Sequence, residues 1–488
     1  MPPSRPGERI IGIETEFGCL VEGDQFASSE AAVEAIKDHV FYRQELGALD
    51  QFARDEVFEP AQSGGFLING GRLYIDAVGS HLEYATAETR DIKTLIAHDR
   101  AGHRLITRAI RELEATKSIS VYNNSVDHFG GHTFGCHENY LVQMGEDFYT
   151  DQVPRLLAFL ITRQVFAGAG RVGGHALVPA RGEELPRSNP IDTIWVSNAY
   201  LVAPDPTVSF QLSQRADHIL KTVASRVRFN RSMINPKWES FYDYEGRHRL
   251  HMLFGESNMM EFAFALKVGT TSLVLQALED NLLEDAPIIS GPLYALRDIS
   301  RDPSMKWECS LIGGESSTAL EIQNFYLERC QVFRGQSEQT DWILEQWATT
   351  LDLLGADPMK LCDRLDWVAK KKIVGEYIAS EGLEPDDDAL HSIDLEYHNV
   401  DEDRGLFYAL QQMGETFRFV DDLDVTIAMT DPPKNTRALA RAEIVRRIID
   451  SKSRRYAVDW DAVNIGGHEI YDLDDPFDPT TPTPTTHR

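Results

Sequence analysis

Four short segments of the chain alternate apolar and polar residues with a period of two, as expected of strands that bury one face. They span residues 10–17, 72–76, 137–142 and 247–254. In the first segment the alternation places Glu14 and Glu16 on one face, and in the second it groups Arg72, Tyr74 and Asp76. Each segment therefore presents its polar side chains on a single surface.

Apolar residues at helical spacing predict helices between these strands. The pattern is clearest within residues 91–116, 153–161 and 342–354, and the chain beyond residue 323 is mainly helical in character. Strands with one polar face and helices packed on the other favour an α+β fold with an antiparallel sheet.

Changes in composition near the C-terminus predict the domain organisation. The run EPDDD interrupts the chain at residues 384–388, and a Pro/Thr-rich sequence ends it. We predict a large domain over residues 1–400, a small C-terminal domain over 401–473 and a disordered tail over 474–488.

Composition and charge narrow the class of protein. The 488 residues are enough for two or three cores, and 42% hydrophobic with 26% charged residues is ordinary for a globular enzyme. No run approaches the ~20 apolar residues of a membrane helix, and the first residues lack a signal-peptide pattern, so we expect a cytoplasmic protein with no membrane partner. A net charge of −29 argues against a nucleic-acid partner.

The predicted polar faces carry an unusual set of side chains, namely Glu14, Glu16, Arg72, Tyr74, Asp76, Glu83, Glu88, Glu138, Arg247, Arg249 and His251. Buried carboxylates are costly unless they are paired or bind a cation. Mg²⁺ prefers such oxygen ligands and bridges nucleotide phosphates, which arginines hold by forked hydrogen bonds. The pattern thus predicts a metal–nucleotide site, although a solvated face with ordinary salt bridges also fits each residue alone. No glycine-rich phosphate loop of the Walker type accompanies it.

A series of ordered segments resembles the Pup–protein ligases and their sister depupylases, the proteasome accessory factor A type. These segments include IIGIETEFG, NGGRLYID, GSHLEYATAE, FGCHENYL, QLSQRADHI, RLHMLFGESNM, LKVGTTSLVL, DPPKNTRALARAE and VDW. The resemblance covers roughly residues 9 to 460. It implies a glutamine-synthetase-like (carboxylate–amine ligase) catalytic domain over residues 1–400 and a small C-terminal domain.

The resemblance also implies an activity, its cofactors and its partners. A ligase of this family uses ATP and Mg²⁺ to phosphorylate the side-chain carboxylate of a C-terminal glutamate on the small disordered modifier Pup. A lysine of a target protein then attacks the acyl phosphate, and the isopeptide bond marks the target for proteasomal degradation. Depupylases hydrolyse that bond, or convert a C-terminal glutamine of Pup to glutamate.

Individual site residues follow from matching the family's motifs. Glu14, Tyr74 and Glu83 match its magnesium positions, and Glu16 completes the predicted metal set. Arg72, Thr86 and Trp460 match its ATP-contacting positions, and Asp76 matches the catalytic aspartate. We expect Arg247, Arg249 and His251 to contact phosphate or carboxylate groups.

The motifs favour the ligase branch in a divergent form. ATAE and GCHENY resemble the ligase versions of those segments, whereas residues 18–69 are shorter than expected of a depupylase and longer than in a typical ligase. One extra residue separates Asp76 from Glu83, and Leu82 replaces a proline. The modifier is thus either Pup or a related Pup-like protein. The alternatives are a depupylase or deamidase, an inactive modifier-binding regulator and a small-molecule ligase of the glutamate–cysteine type.

Overall fold

The computed structural model describes residues 9–54, 59–76, 81–127, 132–178, 201–224, 231–236, 246–385 and 387–486. The extra residue between Asp76 and Glu83 falls within residues 77–80, outside the described residues. The strands, in chain order, are β1 (Ile11–Val21), β2 (Gly47–Leu49), β3 (Gly64–Leu67), β4 (Arg72–Asp76), β5 (His81–Ala85), β6 (Ile119–Tyr122), β7 (Cys136–Gln143), β8 (Arg171–Val172), β9 (His175–Val178), β10 (Leu201–Pro204), β11 (Phe210–Gln211), β12 (Lys221–Val223), β13 (Ser232–Asn235), β14 (Arg247–Met252), β15 (Glu308–Ser310), β16 (Ser316–Thr318), β17 (Tyr456–Val458), β18 (Ala462–Ile465), β19 (Glu469–Asp472) and β20 (Thr485–Thr486).

The α-helices are α1 (Ser29–Asp38), α2 (Ile92–Glu112), α3 (Val153–Thr162), α4 (Gln164–Ala167), α5 (Glu261–Glu279), α6 (Pro292–Arg301), α7 (Ala319–Cys330), α8 (Glu338–Ala356), α9 (Asp366–Glu381), α10 (Asp388–Tyr397), α11 (Leu406–Gln412), α12 (Asp422–Ala428) and α13 (Ala438–Asp450). Among the described residues, none of the helices is both long and apolar enough to cross a membrane.

The chain forms two compact units. The first is built mainly from Asn124–His398 and Leu406–Arg418, and the second from Ile10–Asn123, Asn399–Gly405 and Phe419–Arg488. Both units therefore contain residues from each side of the predicted domain boundary at residue 400. The boundary at residue 400 stays a prediction.

An antiparallel sheet in the order β1, β5, β4, β3, β2 forms the centre of the second unit, and β6 pairs with the C-terminal half of β1. One face of this sheet packs on α1 and α2 through apolar residues such as Phe17, Leu73 and Leu82. Helix α2 begins where Asp91 accepts a hydrogen bond from the backbone N–H of Thr94 (2.7 Å), which satisfies one free donor of its first turn. The other face of the sheet carries the polar side chains.

A second core of this unit joins strand β3 to the C-terminal segment. Phe66 of β3 packs with residues of α13, β17, β18 and β19. The tail over residues 474–488 was predicted to be disordered, but the structure describes it up to residue 486 and shows it in contact with β19 and α13. Its Thr485 and Thr486 pair with β19, and Thr481 bonds to Glu443 of α13. The open edge of β19 offers backbone partners to this threonine-rich sequence, whose β-branched side chains suit a strand.

The first unit contains both a sheet and a large helical layer. Strand β13 pairs in parallel with β12 and antiparallel with β14, which in turn pairs antiparallel with β7. Helix α5 is buried along nearly its whole length, as expected of an apolar sequence with only a small polar face. The helices from α6 to α11 follow it along the chain.

The predicted α+β class is confirmed, and the strand pairs described above are antiparallel except for the β12–β13 pair. The four predicted strands correspond to β1, β4, β7 and β14, and the three predicted helices correspond to α2, α3 and α8. Alternation identified these strands because each has one face in an apolar core.

Candidate active site

The acidic side chains of the second unit lie in rows across its sheet. In the strand register Glu16 of β1 and Tyr74 of β4 are both opposite Glu83 of β5, and Asp76 is opposite His81. Residues directly opposite each other on antiparallel strands point to the same face. These five side chains therefore share the polar face of the sheet.

Three carboxylates of these rows converge. Glu16, Asp76 and Glu83 each offer an oxygen that lies within 4.8 Å of the oxygens of the other two. Glu83 is only 3% exposed. Burial, followed by the charges of Glu16, Glu14 and Asp76, raises the pKa of Glu83 well above its ordinary value. We call Glu16, Asp76 and Glu83 the carboxylate triad.

The triad has the donor chemistry of a magnesium site. Three oxygen ligands of like charge crowd a partly buried space, where burial and, after it, the neighbouring carboxylate charges raise the pKa of Glu83. A divalent cation relieves such repulsion, and carboxylate oxygens are the ligands that Mg²⁺ prefers. The residues present therefore fit a magnesium ion.

The predicted metal residues Glu14 and Tyr74 surround this triad. Glu14 is one row away, because it and Arg72 are both opposite Ala85. It nevertheless lies on the same face as Asp76, and its charge raises the pKa of Glu83. The Tyr74 hydroxyl is hydrogen-bonded to Glu83, and burial with the nearby Glu83 and Glu14 charges raises the pKa of Tyr74 well above its ordinary value. A phenol that keeps its proton is a hydrogen-bond donor, so Tyr74 is suited to orienting Glu83.

Strand β3 makes room for Tyr74. Gly64 is opposite Tyr74 in the register, and a Cβ atom at Gly64 would lie 2.1 Å from the Cβ of Tyr74. Such a distance is far inside van der Waals contact, so only glycine fits without displacing the tyrosine.

Arg72 provides positive charge beside the triad. Its Nη2 donates to Asp50 (2.8 Å) and Glu59 (2.9 Å), and its Cζ lies 4.3 Å from the centroid of the Tyr74 ring. Burial alone lowers the pKa of a guanidinium, but the Asp50 and Glu59 charges raise that of Arg72 above its ordinary value. Its buried Nε has no hydrogen-bond partner among the described residues, which leaves one donor for an anionic ligand.

Aromatic rings extend the site beyond Arg72. The rings of Phe66 and Trp460 meet edge to face, with centroids 5.0 Å apart. Trp460 is half-buried and lies against Arg441, whose Cζ is 4.8 Å from the centroid of its ring. The Cζ of Arg72 lies 5.9 Å from the centroid of the Phe66 ring. Phe66 therefore contacts both Arg72 and Trp460, two of the predicted ATP contacts.

Two other residues near the end of β5 have structural partners. The Thr86 hydroxyl accepts a hydrogen bond from the backbone N–H of Ile13 (3.0 Å), so its predicted contact with ATP stays a prediction. Glu88 receives forked hydrogen bonds from Arg441 and a further one from Arg437. Burial alone would raise the pKa of Glu88, but these two arginines lower it to about 2.

Sequence reasoning missed three polar residues of this face. Asp50 and Glu59 accept hydrogen bonds from Arg72, and they lie in a segment without strand alternation, so no sequence pattern marked them. His81 bonds to Glu16, with its Nδ1 2.8 Å from a carboxylate oxygen. The strand alternation of HLEYA groups His81 with Glu83, and this signal was available in the sequence.

The polar face of the first unit holds the remaining predicted residues. Arg247, Arg249 and His251 alternate along β14, and His251 and Arg249 both contact Asn139 of β7 (2.8 and 3.2 Å). Their predicted contacts with phosphate or carboxylate groups stay predictions. The inclusion of Glu138 in a polar face is wrong, because Glu138 is fully buried on the side of β7 opposite to His137 and Asn139.

Glu138 belongs to a buried ion pair. It is hydrogen-bonded to both terminal nitrogens of Arg163 at the end of α3 and accepts the Tyr140 hydroxyl (2.7 Å). A carboxylate on a helix-packed face needs such a partner, so its polarity does not indicate a ligand site.

Comparison with known proteins matches most of the chain to the family that its motifs resemble. The model of the family described as Pup-ligase protein matches residues 9–464. A Pup–protein ligase of Nakamurella multipartita is 36% identical over 465 residues, which are 93% of this chain and 92% of that protein. A depupylase of Acidothermus cellulolyticus is 34% identical over 499 residues, covering 95% of this chain and 91% of that protein.

Solved structures agree with this match. The complex between the prokaryotic ubiquitin-like protein Pup and its ligase PafA aligns with a TM-score of 0.77 at 29% identity, covering 98% of this chain and 90% of PafA. PafA in complex with ADP aligns with a TM-score of 0.71 at 31% identity, covering 88% and 89% of the two chains. The resemblance drawn from the motifs is confirmed, and the chain belongs to the Pup-ligase protein family.

Proposed function

We propose that this chain is an ATP- and magnesium-dependent carboxylate–amine ligase. It joins the side-chain carboxylate of a C-terminal glutamate on Pup or a Pup-like modifier protein to lysines of target proteins. The observation that carries this proposal is the convergence of Glu16, Asp76 and Glu83 beside Arg72 on one face of a sheet. The ADP and Pup complexes of the related PafA support a nucleotide and a protein modifier as ligands.

Glu14, Glu16 and Glu83 would hold the metal, with Asp76 beside them as the catalytic carboxylate, and Tyr74 would orient Glu83 by its hydrogen bond. When bound, magnesium supplies positive charge that offsets the charge of the nucleotide phosphates. The buried Nε of Arg72, which has no partner among the described residues, is a donor available to a phosphate oxygen. The half-buried Trp460 offers a flat apolar surface near Arg72, as a nucleotide base requires.

The proposed reaction has two steps. An oxygen of the modifier carboxylate attacks the γ-phosphorus of ATP, which gives an acyl phosphate and ADP. The lysine amine then attacks the acyl carbon, phosphate leaves, and the amine loses a proton as the amide forms. Asp76 is the proposed acceptor of that proton or the group that orients the neutral amine. Arg72 stabilises the charge that develops on the transferred phosphoryl group.

Hydrolysis is the second candidate function. A depupylase is among the relatives with more than 90% of both chains aligned, and hydrolysis of the same isopeptide bond would use the same carboxylates and nucleotide. In that case water, not lysine, is the attacking group, and no new isopeptide bond accumulates.

A reconstitution with purified components separates the two functions. The protein is incubated with ATP, Mg²⁺, a modifier ending in glutamate and a lysine-bearing target, and in parallel with a preformed conjugate. A ligase yields conjugate and ADP, with the new isopeptide bond located by mass spectrometry. Removal of the modifier from the preformed conjugate, without any synthesis in the first reaction, would establish the hydrolase instead. The same reactions with EDTA test the metal requirement.

A further inference from the structure

Phe66 occupies an unusual place in strand β3. It is opposite Arg72 of β4 in the register, so its ring lies on the polar face of the sheet, whereas Leu67 and Leu73 belong to the core packed against α1 and α2. The side chain of Phe66 has no exposed surface. A ligand cannot reach a fully buried ring. Any role of Phe66 in the site is therefore exerted through the side chains that it contacts.

Three guanidinium groups surround this ring. The Cζ atoms of Arg54, Arg72 and Arg441 lie 5.2, 5.9 and 5.3 Å from its centroid. Trp460 adds an edge-to-face contact at 5.0 Å, with the two ring planes 80° apart. Cation–π and aromatic contacts of this kind depend on geometry, and they are stronger where water is excluded.

Each guanidinium is also held by a carboxylate. Arg54 bonds to Asp459 (2.9 Å), the residue before Trp460, and Arg72 bonds to Asp50. Arg441 bonds to Glu88 and to the carbonyl oxygen of Trp460 (2.8 Å). Among the described residues, the ring of Phe66 thus contacts both Arg72 and Trp460.

We infer that Phe66 is a positioning residue that fixes Arg72 and Trp460 relative to each other for nucleotide binding. The inference rests on the proposed function, because it assumes that these two side chains contact ATP. Without the ring, Arg72 and Trp460 each gain rotational freedom that nucleotide binding must then remove. The expected consequence is weaker ATP binding with a smaller effect on the chemical step, because Asp50 and Glu59 still hold Arg72.

Phe66→Leu tests this role, and Phe17→Leu is its matched control. Both phenylalanines are buried in strands of the same sheet, but Phe17 lies on the helix-packed face, where its ring contacts His103. Phe66→Leu is expected to raise the dissociation constant and the KM for ATP about tenfold, with a smaller fall in kcat at saturating ATP of at most about threefold, because Asp50 and Glu59 still hold Arg72. Phe17→Leu is expected to lower the thermal midpoint while leaving the ATP dissociation constant within about twofold.

A double-mutant cycle with Trp460→Leu gives a readout that general destabilisation does not change. If Phe66 acts through Trp460, Phe66→Leu weakens ATP binding less in the Trp460→Leu protein than in the wild type. Strictly additive effects, or equal effects of Phe66→Leu and Phe17→Leu on ATP affinity, would overturn the positioning role. Absence of ATP binding by the wild-type protein would instead refute the proposed function, so the two failures are distinguishable.

Discussion

Single carboxyl groups determine what the candidate site can do, because their charges oppose one another. Glu83 is almost fully buried and has three carboxylates nearby, and burial followed by the repulsion of those charges raises its pKa. Tyr74 partly offsets this repulsion by its hydrogen bond. A cation bound among these carboxylates would offset their mutual repulsion, which the metal-free protein retains.

Asp76→Asn is the most direct test of the proposed chemistry. The change keeps the shape of the side chain but removes its ability to accept a proton, so we expect conjugation to fall at least about 100-fold. ATP binding is expected to stay within about threefold, because Glu16, Glu83 and Arg72 remain. Conjugate formation is measured by gel shift, and ATP affinity by calorimetry.

Asp24→Asn is the control for this variant, since Asp24 is exposed in the loop after β1 and its change removes the same charge. It is expected to conjugate like the wild type. Normal conjugation by Asp76→Asn would remove Asp76 from the mechanism. Loss of ATP binding together with conjugation would assign Asp76 to the metal, as its position in the triad also permits.

The raised pKa of Glu83 predicts how stability depends on pH. The folded protein holds the Glu83 proton at pH values where the unfolded chain, with an ordinary value of 4.5, has lost it. Stability of the metal-free protein therefore falls as pH rises from that value through the folded pKa, by at most about 1.4 kcal/mol per pH unit for one proton. Glu83→Gln cannot ionise and is expected to lack this contribution.

Denaturant unfolding of the wild type and Glu83→Gln at several pH values between about 5 and 8 isolates the effect as a difference of slopes. Added Mg²⁺ is expected to stabilise the wild type more at the higher pH, because the ion competes with the Glu83 proton. Parallel pH profiles for the two proteins would show that Glu83 ionises normally.

At the scale of elements, the strands with one polar face could be predicted from the sequence. The pairings between strands that bring side chains such as Asp50 to the site could not. Alternation alone identified β1 and β4 and grouped Glu14, Glu16, Tyr74 and Asp76 on their polar faces. It failed for Glu138, because a buried carboxylate paired with Arg163 has the same sequence pattern as a ligand. It also gave no signal for Asp50, which reaches Arg72 only through the pairing of β2, β3 and β4.

Helix α13 is attached to the sheet by the ion pair between Arg441 and Glu88. Both partners are buried, and Arg441 has no exposed surface. Glu88→Gln would leave that guanidinium without a compensating charge, so we expect the free energy of unfolding to fall by about 3–5 kcal/mol. Chemical denaturation monitored by circular dichroism measures this loss.

Glu402→Gln is the matched control, because Glu402 also pairs with an arginine, Arg104 (2.6 Å), but both side chains are partly exposed. Solvent screens such a pair, and its loss is expected to cost no more than about 1 kcal/mol. Equal losses for the two variants would mean that Glu88 contributes no more than a surface pair. In that case the attachment of α13 would depend on its apolar packing.

For the whole molecule, the net charge of −29 bears on partners more than on the fold. The family was predictable from ordered motifs along most of the chain, whereas the targets are not encoded in any motif. The net charge nevertheless affects how every target approaches the protein. An acidic protein attracts basic surfaces over about 10 Å at moderate ionic strength, and salt screens this attraction.

We therefore expect conjugation of a basic, lysine-rich target to be sensitive to salt. Raising NaCl from about 50 to about 300 mM should lower kcat/KM for such a target about tenfold, because electrostatic steering acts on the encounter. For an acidic target of similar size the value should stay level or rise, since screening then removes repulsion. Saturating ATP and modifier keep salt effects on their binding out of the comparison. The same decrease for both targets would place the effect at the active site, and the net charge would then have no part in target choice.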